Sequence, residues 1–202
     1  MEQALELLQN GKPVRMMLKG ISAEELTILK TLNLLTSKPV LYVCNVAEAE
    51  AATGNEHTRK VAEMAAEQGA RTVIISAAIE AEVAQLPDDE AKEFLTEMGL
   101  EEPGLDRLIR AGYELLDLIT YFTAGPKETR AWTIVKGTKA PQAAGVIHTD
   151  FERGFIRAQT IAFNDYVTLG GETGAKEAGK ARDEGKEYVV QDGDVLLFKF
   201  NV

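Results

Sequence analysis

Pro39-Val-Leu-Tyr-Val-Cys-Asn45-Val46-Ala47-Glu48 is an apolar run that ends abruptly in an Asn and, three residues on, a carboxylate. Continuous apolar runs of this length read as buried parallel strands, and open α/β sheets collect ligands at the carboxyl ends of such strands. An Asn there offers one acceptor and two donors to the edge of a purine. A second run, Thr72-Val-Ile-Ile75, ends in Ser76-Ala77-Ala78, so two strand ends carry small polar groups. The pattern is that of the base-binding half of a nucleotide site.

Upstream, Ser22-Ala-Glu-Glu25 is a capping box that opens a helix to about Thr36, with Leu26, Leu29 and Leu32 on one face. A shorter helical pattern covers Met1 to Gln9 and stops at Asn10-Gly11-Lys12-Pro13. Residues 55–68 read as a helix closed by Gly69, and 71–76 as the second strand. Strand, helix, strand is a βαβ unit, so the two strands are expected to be parallel. Residues 80–98 are helical and acidic with a break at Pro87-Asp88. Gly104 opens a last helix whose stripe of Leu105, Leu108, Ile109, Gly112, Leu115 and Leu116 is expected to pack into a core.

After Asp117 the pattern changes. Leu118–Ala124 and Arg130–Val135 read as two strands about a Gly125-Pro126 turn, and 140–150 as a short helix. Phe155–Ile161, Tyr188–Val190 and Val195–Phe200 read as further strands, with a turn or short helix at Phe163–Val167 and a Gly- and Lys-rich loop over 170–187. This is a small α+β domain following an α/β one. Charge divides the chain at the same place. Residues 1–117 carry 11 Lys and Arg against 21 Asp and Glu, a net −10, whereas 118–202 carry 11 of each. The first part is repelled by nucleic acid in general; the second is neutral and free to present a local basic face.

No apolar run approaches the ~20 residues of a membrane span, so no membrane role is expected. The acidic start lacks a signal-peptide layout, and the single Cys44 excludes an internal disulfide and reads as a small core residue. A cytoplasmic location fits these features, and neither DNA binding nor a metal site is indicated.

Gly174-Ala-Lys-Glu-Ala-Gly179-Lys180-Ala181 almost spells the phosphate-binding pattern G-x-x-x-x-G-K-[ST]. The last position needs a hydroxyl for Mg²⁺, which Ala181 lacks, and no buried strand precedes it. The stretch reads as a flexible basic surface loop. No other stretch supplies a phosphate cradle. In many guanine-nucleotide enzymes the base motif is Asn-Lys-x-Asp, whose Asp accepts from guanine. Here the Lys place is Val46 and the Asp place is Glu48, a pairing compatible with the N6 amine of adenine and poorly suited to guanine. Asn and Glu capping a strand-to-helix turn is the equal alternative. His148 beside Asp150 reads as a structural hydrogen bond, with an acid–base pair the less favoured reading, and Trp132 as core. Lys176, Lys180, Arg182 and Lys186, with Arg153 and Arg157 upstream, form either a solvated surface or a set of RNA phosphate contacts. No nucleophile or catalytic residue stands out.

Longer stretches carry a resemblance. They include Leu100-Glu-Glu-Pro-Gly-Leu-Asp-Arg-Leu-Ile-Arg-Ala-Gly112, Thr120-Tyr-Phe-Thr-Ala-Gly125, Ile147-His-Thr-Asp-Phe-Glu152, Gly154-Phe-Ile-Arg-Ala-Gln-Thr160 and the terminal Phe198-Lys-Phe-Asn-Val202. With them the whole chain resembles the C-terminal part of the Obg-like ATPase family of YchF type. The resemblance implies the end of a helical insertion at 1–20, the second half of a P-loop NTPase (Rossmann-like) domain at 21–117, and a TGS domain of β-grasp, ubiquitin-like fold at 118–202. It also implies that Asn45, Val46 and Glu48 form a base-recognition motif favouring ATP over GTP, and that Ser76 and Ala77 form the second base-contacting loop. Family members bind ribosomes and hydrolyse ATP weakly.

The P-loop and both switch regions of that family have no counterpart in this sequence. ATP is therefore the implied ligand, Mg²⁺ is implied only together with the N-terminal half, and hydrolysis by this chain alone is not expected. The partner implied is a ribosome or ribosomal RNA. A strand at 39–44 without its usual neighbours would leave a bare edge, so self-association through it, or pairing with a complementary half, is expected. The alternative is a stand-alone TGS interaction protein without nucleotide binding or catalysis.

Overall fold

The computed structural model describes residues 2–201. Met1 and Val202, which belong to the first helical pattern and the terminal motif, lie outside them. The chain divides into two compact units, one running to Leu115 and the other starting at Leu116.

The first unit opens with α1 (Glu2–Gln9) and a 3-10 segment (Val14–Gly20), followed by α2 (Ala23–Thr31). Ser22 accepts from the Glu25 N–H while the Glu25 carboxylate accepts from the Ser22 N–H, the reciprocal cap read from the sequence. The helix stops at Thr31, five residues short of the expected end, because Asn33 adopts φ 47° and turns the chain. Of its stripe only Leu29 is buried. β1 (Leu41–Asn45), α3 (Glu56–Glu67) and β2 (Arg71–Ile75) follow, and β1 and β2 pair in parallel with Asn45 opposite Ile75. The acidic stretch folds as two helices, α4 (Ala77–Val83) and α5 (Asp88–Glu97), broken by Pro87 as expected.

α6 (Gly104–Leu115) packs on β2 and β1. Its entry is capped by Glu80, whose carboxylate accepts from the Gly104 N–H (2.7 Å) and the Leu105 N–H (3.1 Å). The expectation that its apolar stripe is core is met only in part, with Leu108, Gly112 and Leu115 half-buried. Leu105 is 53% and Ile109 51% exposed, and only Gly104 of the helix is buried. The expectation of a buried strand at 39–44 fails: no residue of β1 or β2 is buried, and Cys44 is half-buried. Two strands alone present too little sheet to cover either face.

The second unit is a five-stranded mixed sheet in the order β4-β3-β7-β5-β6. β3 (Leu118–Ala124) and β4 (Thr129–Val135) form the first hairpin, with β3 parallel to β7 (Asp194–Phe200). β5 (Phe155–Ala162) runs antiparallel to β7 and to the short β6 (Arg182–Glu184). α7 (Ala140–Ile147) lies on the sheet and buries Ala140, Ala143 and Ala144 against Tyr121, Phe155, Ala158, Leu196 and Phe198. Small residues on the helix let the two layers approach closely. α8 (Thr149–Arg153), α9 (Phe163–Thr168) and α10 (Glu172–Glu177) complete the unit. Trp132 is half-buried at the edge of this core, donating Nε1–H to Thr123 Oγ1 under the Arg130 guanidinium.

Three further expectations differ from the structure. Tyr188–Val190 is not a strand but a single bridge, Val189 to Lys139. The segment 170–187 is not a loop throughout, since it holds α10 and β6. The near-miss phosphate pattern in it is helix punctuation. A Cβ on Gly174 would collide with the Leu169 carbonyl oxygen. Gly179, at φ 68°, ends α10 while Lys180 N–H donates to the Ala175 carbonyl (2.8 Å).

Candidate nucleobase site

The carboxyl ends of β1 and β2 are tied together twice. The Val46 N–H donates to the Ile75 carbonyl (2.9 Å), continuing the ladder past the strands. The Ala77 N–H donates to the Asn45 side-chain oxygen (3.0 Å). With its oxygen engaged, the Asn45 amide keeps its NH₂ donors, and no described residue accepts from them. Ser76, between the two, is buried with its hydroxyl unpaired among the described residues, and an orphaned polar group of that kind costs about 1–3 kcal/mol. Glu48 opens a 3-10 turn (Glu48–Glu50) and is exposed. A purine edge could therefore meet amide donors from Asn45 and a carboxylate acceptor from Glu48.

The structure brings Asn45, Val46, Ser76 and Ala77 together through these bonds, with Glu48 on the adjoining turn. No single described cavity contains all five. Asn45 and Val46 line a groove of about 340 Å³ with Tyr42, Cys44 and, from α3 and its cap, Asn55, Thr58 and Val61. Asn55 itself is spent on capping α3, accepting from the His57 and Thr58 N–H groups. Nothing in the sequence pattern signals this groove, which forms only when α3 returns across β1.

A larger groove of about 650 Å³ lies along the outer edge of β2, between Ala62, Ala65 and Ala66 of α3 and Arg107, Arg110 and Glu114 of α6. Its charges pair among themselves: Arg110 holds Glu102 through two hydrogen bonds (2.6 and 2.9 Å), and Arg71 bonds Glu114. The hydrogen bonds from Arg110 keep the Glu102 carboxyl below its ordinary pKa.

The basic candidates of the second unit do not form an unpaired cationic face. Arg153 pairs with Asp150, Arg157 with Asp183, Lys176 with Glu172, Lys180 with Asp165 and Arg182 with Glu184. Lys186 is the exception among the six. His148 Nδ1 accepts from the Asp150 N–H (3.1 Å) and so caps α8, a structural role. Among the described residues no group of three or more His, Cys, Asp or Glu is placed to hold a metal, and no helix is long and apolar enough to cross a membrane.

The family model YchF-GTPase_C, described as a protein of unknown function (DUF933), matches residues 118–201. Over all 202 residues the chain is 55% identical to the Ribosome-binding ATPase YchF of Haemophilus influenzae, of which it covers 55%. This chain belongs to the YchF family. It is also 45% identical over 197 residues to the Obg-like ATPase 1 of Oryza sativa subsp. japonica, covering 96% of this chain and 49% of that protein. The solved Schizosaccharomyces pombe YchF GTPase superposes on 98% of this chain, with a TM-score of 0.85 and 37% identity, and this chain covers 53% of it. The chain thus spans about half the length of the curated YchF relatives it matches. Its α/β first unit and mixed-sheet second unit have the fold of the corresponding region of a YchF GTPase.

Proposed function

We propose that this chain supplies the adenine-recognition half of a YchF-type nucleotide site, joined to a TGS module of β-grasp fold that docks on the ribosome. The observation that carries the reading is the Asn45–Ala77 hydrogen bond, which joins the two strand-end loops and leaves the Asn45 amide donors uncommitted. Asn45 would donate to a ring nitrogen of adenine, and Glu48 would accept from the exocyclic N6 amine. Val46 holds the loop to β2 through its backbone, and Ser76 and Ala77 form the second wall. Guanine carries a carbonyl where adenine carries the N6 amine, so it would set an acceptor against the Glu48 carboxylate.

Phosphate and Mg²⁺ are assigned to no residue of this sequence, so hydrolysis would fall to the part of a YchF chain that this sequence does not match. In the second unit Arg153, Arg157, Lys176, Lys180, Arg182 and Lys186 are the candidate contacts to ribosomal RNA. Five of them would have to exchange an acidic partner for a phosphate, so Lys186 is the least encumbered. The names of the relatives, Ribosome-binding ATPase and Obg-like ATPase, support both halves of the proposal.

Calorimetric titration of the chain with ATP and GTP tests it, with Asn45→Ala as control. Saturable binding that prefers ATP and weakens at least tenfold in Asn45→Ala is expected. No binding by the folded chain at millimolar ATP would refute the nucleotide half. The second reading, a TGS interaction protein alone, would then stand; it is favoured by the lack of one described cavity containing all five residues.

A further inference from the structure

We infer that β4, the outermost strand of the second unit's sheet, is with the turn before it a contact surface for single-stranded RNA, built from Lys127, Arg130 and Lys136 around Trp132. The inference rests on the ribosome-docking reading above and names the surface that would carry it. Over 153–186, five of the six candidate cations are held by acids. Lys127, Arg130 and Lys136 are exposed and pair with no acid among the described residues.

Their neighbours explain the difference. Residues 118–136 hold three basic residues against one acidic, Glu128, and β3 alongside is uncharged throughout. α7, which packs on the same sheet, is uncharged as well. Neither neighbouring element therefore supplies a carboxylate, whereas strand register and helix spacing supply one to each paired cation over 153–186. Asp117, next along the chain, meets Lys136 through its backbone carbonyl, which accepts the Lys136 N–H (2.7 Å).

The cations also share a side. By strand alternation Arg130 and Trp132 lie on the same side of β4 as the buried Ile134, and Lys136 continues the ladder one residue past the strand. Arg130 and Lys136 stand about 20 Å apart at about 3.3 Å per residue, a track rather than a point. Trp132 holds Arg130 in place. The guanidinium carbon sits 4.2 Å from the ring centroid, and the indole is itself fixed by its Nε1–H bond to Thr123 Oγ1 (2.9 Å). Stacking occupies the face of the guanidinium and leaves its in-plane N–H donors for an anion, which they can grip through two parallel bonds. Spaced cations beside flat aromatic and guanidinium faces are what single-stranded nucleic acid uses, its phosphates tracking the charges while its bases stack. Lysines on an outer strand also discourage pairing with other sheets, but that role does not need an arginine stacked on an aromatic.

The test is fluorescence anisotropy of a labelled single-stranded RNA of about twelve nucleotides, titrated with the full chain, beside co-sedimentation with bacterial ribosomes. Replacing all three cations (Lys127→Ala, Arg130→Ala, Lys136→Ala) should weaken RNA binding about a hundredfold at ~0.1 M salt and make the slope of log K against log salt shallower by about 2. It should also remove the chain from the ribosome pellet, with an unchanged circular dichroism spectrum. An equal loss of charge from the first unit (Lys12→Ala, Lys30→Ala, Lys92→Ala) should leave affinity and slope as they were. Arg130→Lys alone keeps the charge and loses the flat stacking, so it should bind several-fold more weakly at the wild-type slope. A triple variant that binds RNA like the wild type, or a loss produced by Lys186→Ala in its place, would overturn the inference; ribosome binding by the wild type would still leave the docking reading standing. Ribosome binding lost in the triple variant, when the wild type binds no RNA, would assign the surface to a ribosomal protein and overturn it too. A wild type that binds neither RNA nor ribosomes would overturn both.

Discussion

Tyr121 is fully buried at the centre of the second unit, and its hydroxyl donates to the Ala143 carbonyl of α7 at 2.8 Å. Burial raises its pKa well above the ordinary phenol value of about 10. Tyr121→Phe keeps the ring and removes one hydrogen bond, so at pH 7 it should cost about 1 kcal/mol. The cost should then shrink in alkali. Below about pH 10 the tyrosine is protonated in both folded and unfolded chains and contributes no pH dependence. Above it the unfolded chain loses the proton while the folded one retains it, so stability falls with pH by about 1.4 kcal/mol per unit. At pH 11 the unfolded phenol is roughly 90% ionised, which removes about 1.4 kcal/mol from the wild type and nothing from Tyr121→Phe. The variant should therefore be less stable at pH 7 and as stable or slightly more stable at pH 11. Urea unfolding followed by the single tryptophan, Trp132, reads this unit directly. A destabilisation equal at both pH values would refute the assignment of a retained buried proton to Tyr121.

Glu80→Ala removes the carboxylate that accepts from two N–H groups at the start of α6 and should destabilise the first unit by about 0.5–2 kcal/mol, measured by far-ultraviolet circular dichroism in urea. Gly154→Ala drives a Cβ into the Asn201 carbonyl oxygen, so it should cost about 1–3 kcal/mol. It should also displace the pairing between the start of β5 and the chain end, visible as faster amide exchange at Asn201. Ala181→Ser completes the G-x-x-x-x-G-K-S pattern in sequence, yet should confer no Mg²⁺-dependent ATP binding by calorimetry, because Gly174 and Gly179 serve a helix and its end.

Local chemistry was legible from the residues alone where neighbours in sequence decide the outcome. The Ser22–Glu25 capping box, the break at Pro87, and the strand–helix–strand order that makes β1 and β2 parallel are of this kind. The placement of Asn45 at a strand end also follows from the apolar run before it. The resemblance to the YchF family rested on long ordered motifs, which sequence preserves directly.

What only the tertiary structure decided is which surfaces meet. Apolar periodicity shows that α6 has a greasy stripe; it cannot show that Leu105 and Ile109 stay about half exposed, since covering depends on elements elsewhere in the fold. Counting basic residues over 153–186 suggests a cationic surface, but strand register and helix spacing place an acid beside five of the six. The glycines of the 174–179 segment imitate a phosphate loop because both uses need a residue without a Cβ; Ala181 already argued against that use in the sequence, and the Leu169 carbonyl above Gly174 shows what the glycine is for. Sequence determines each residue's chemistry and local geometry. The distances between residues far apart in the chain, and therefore burial and pairing, come from the packing of the whole.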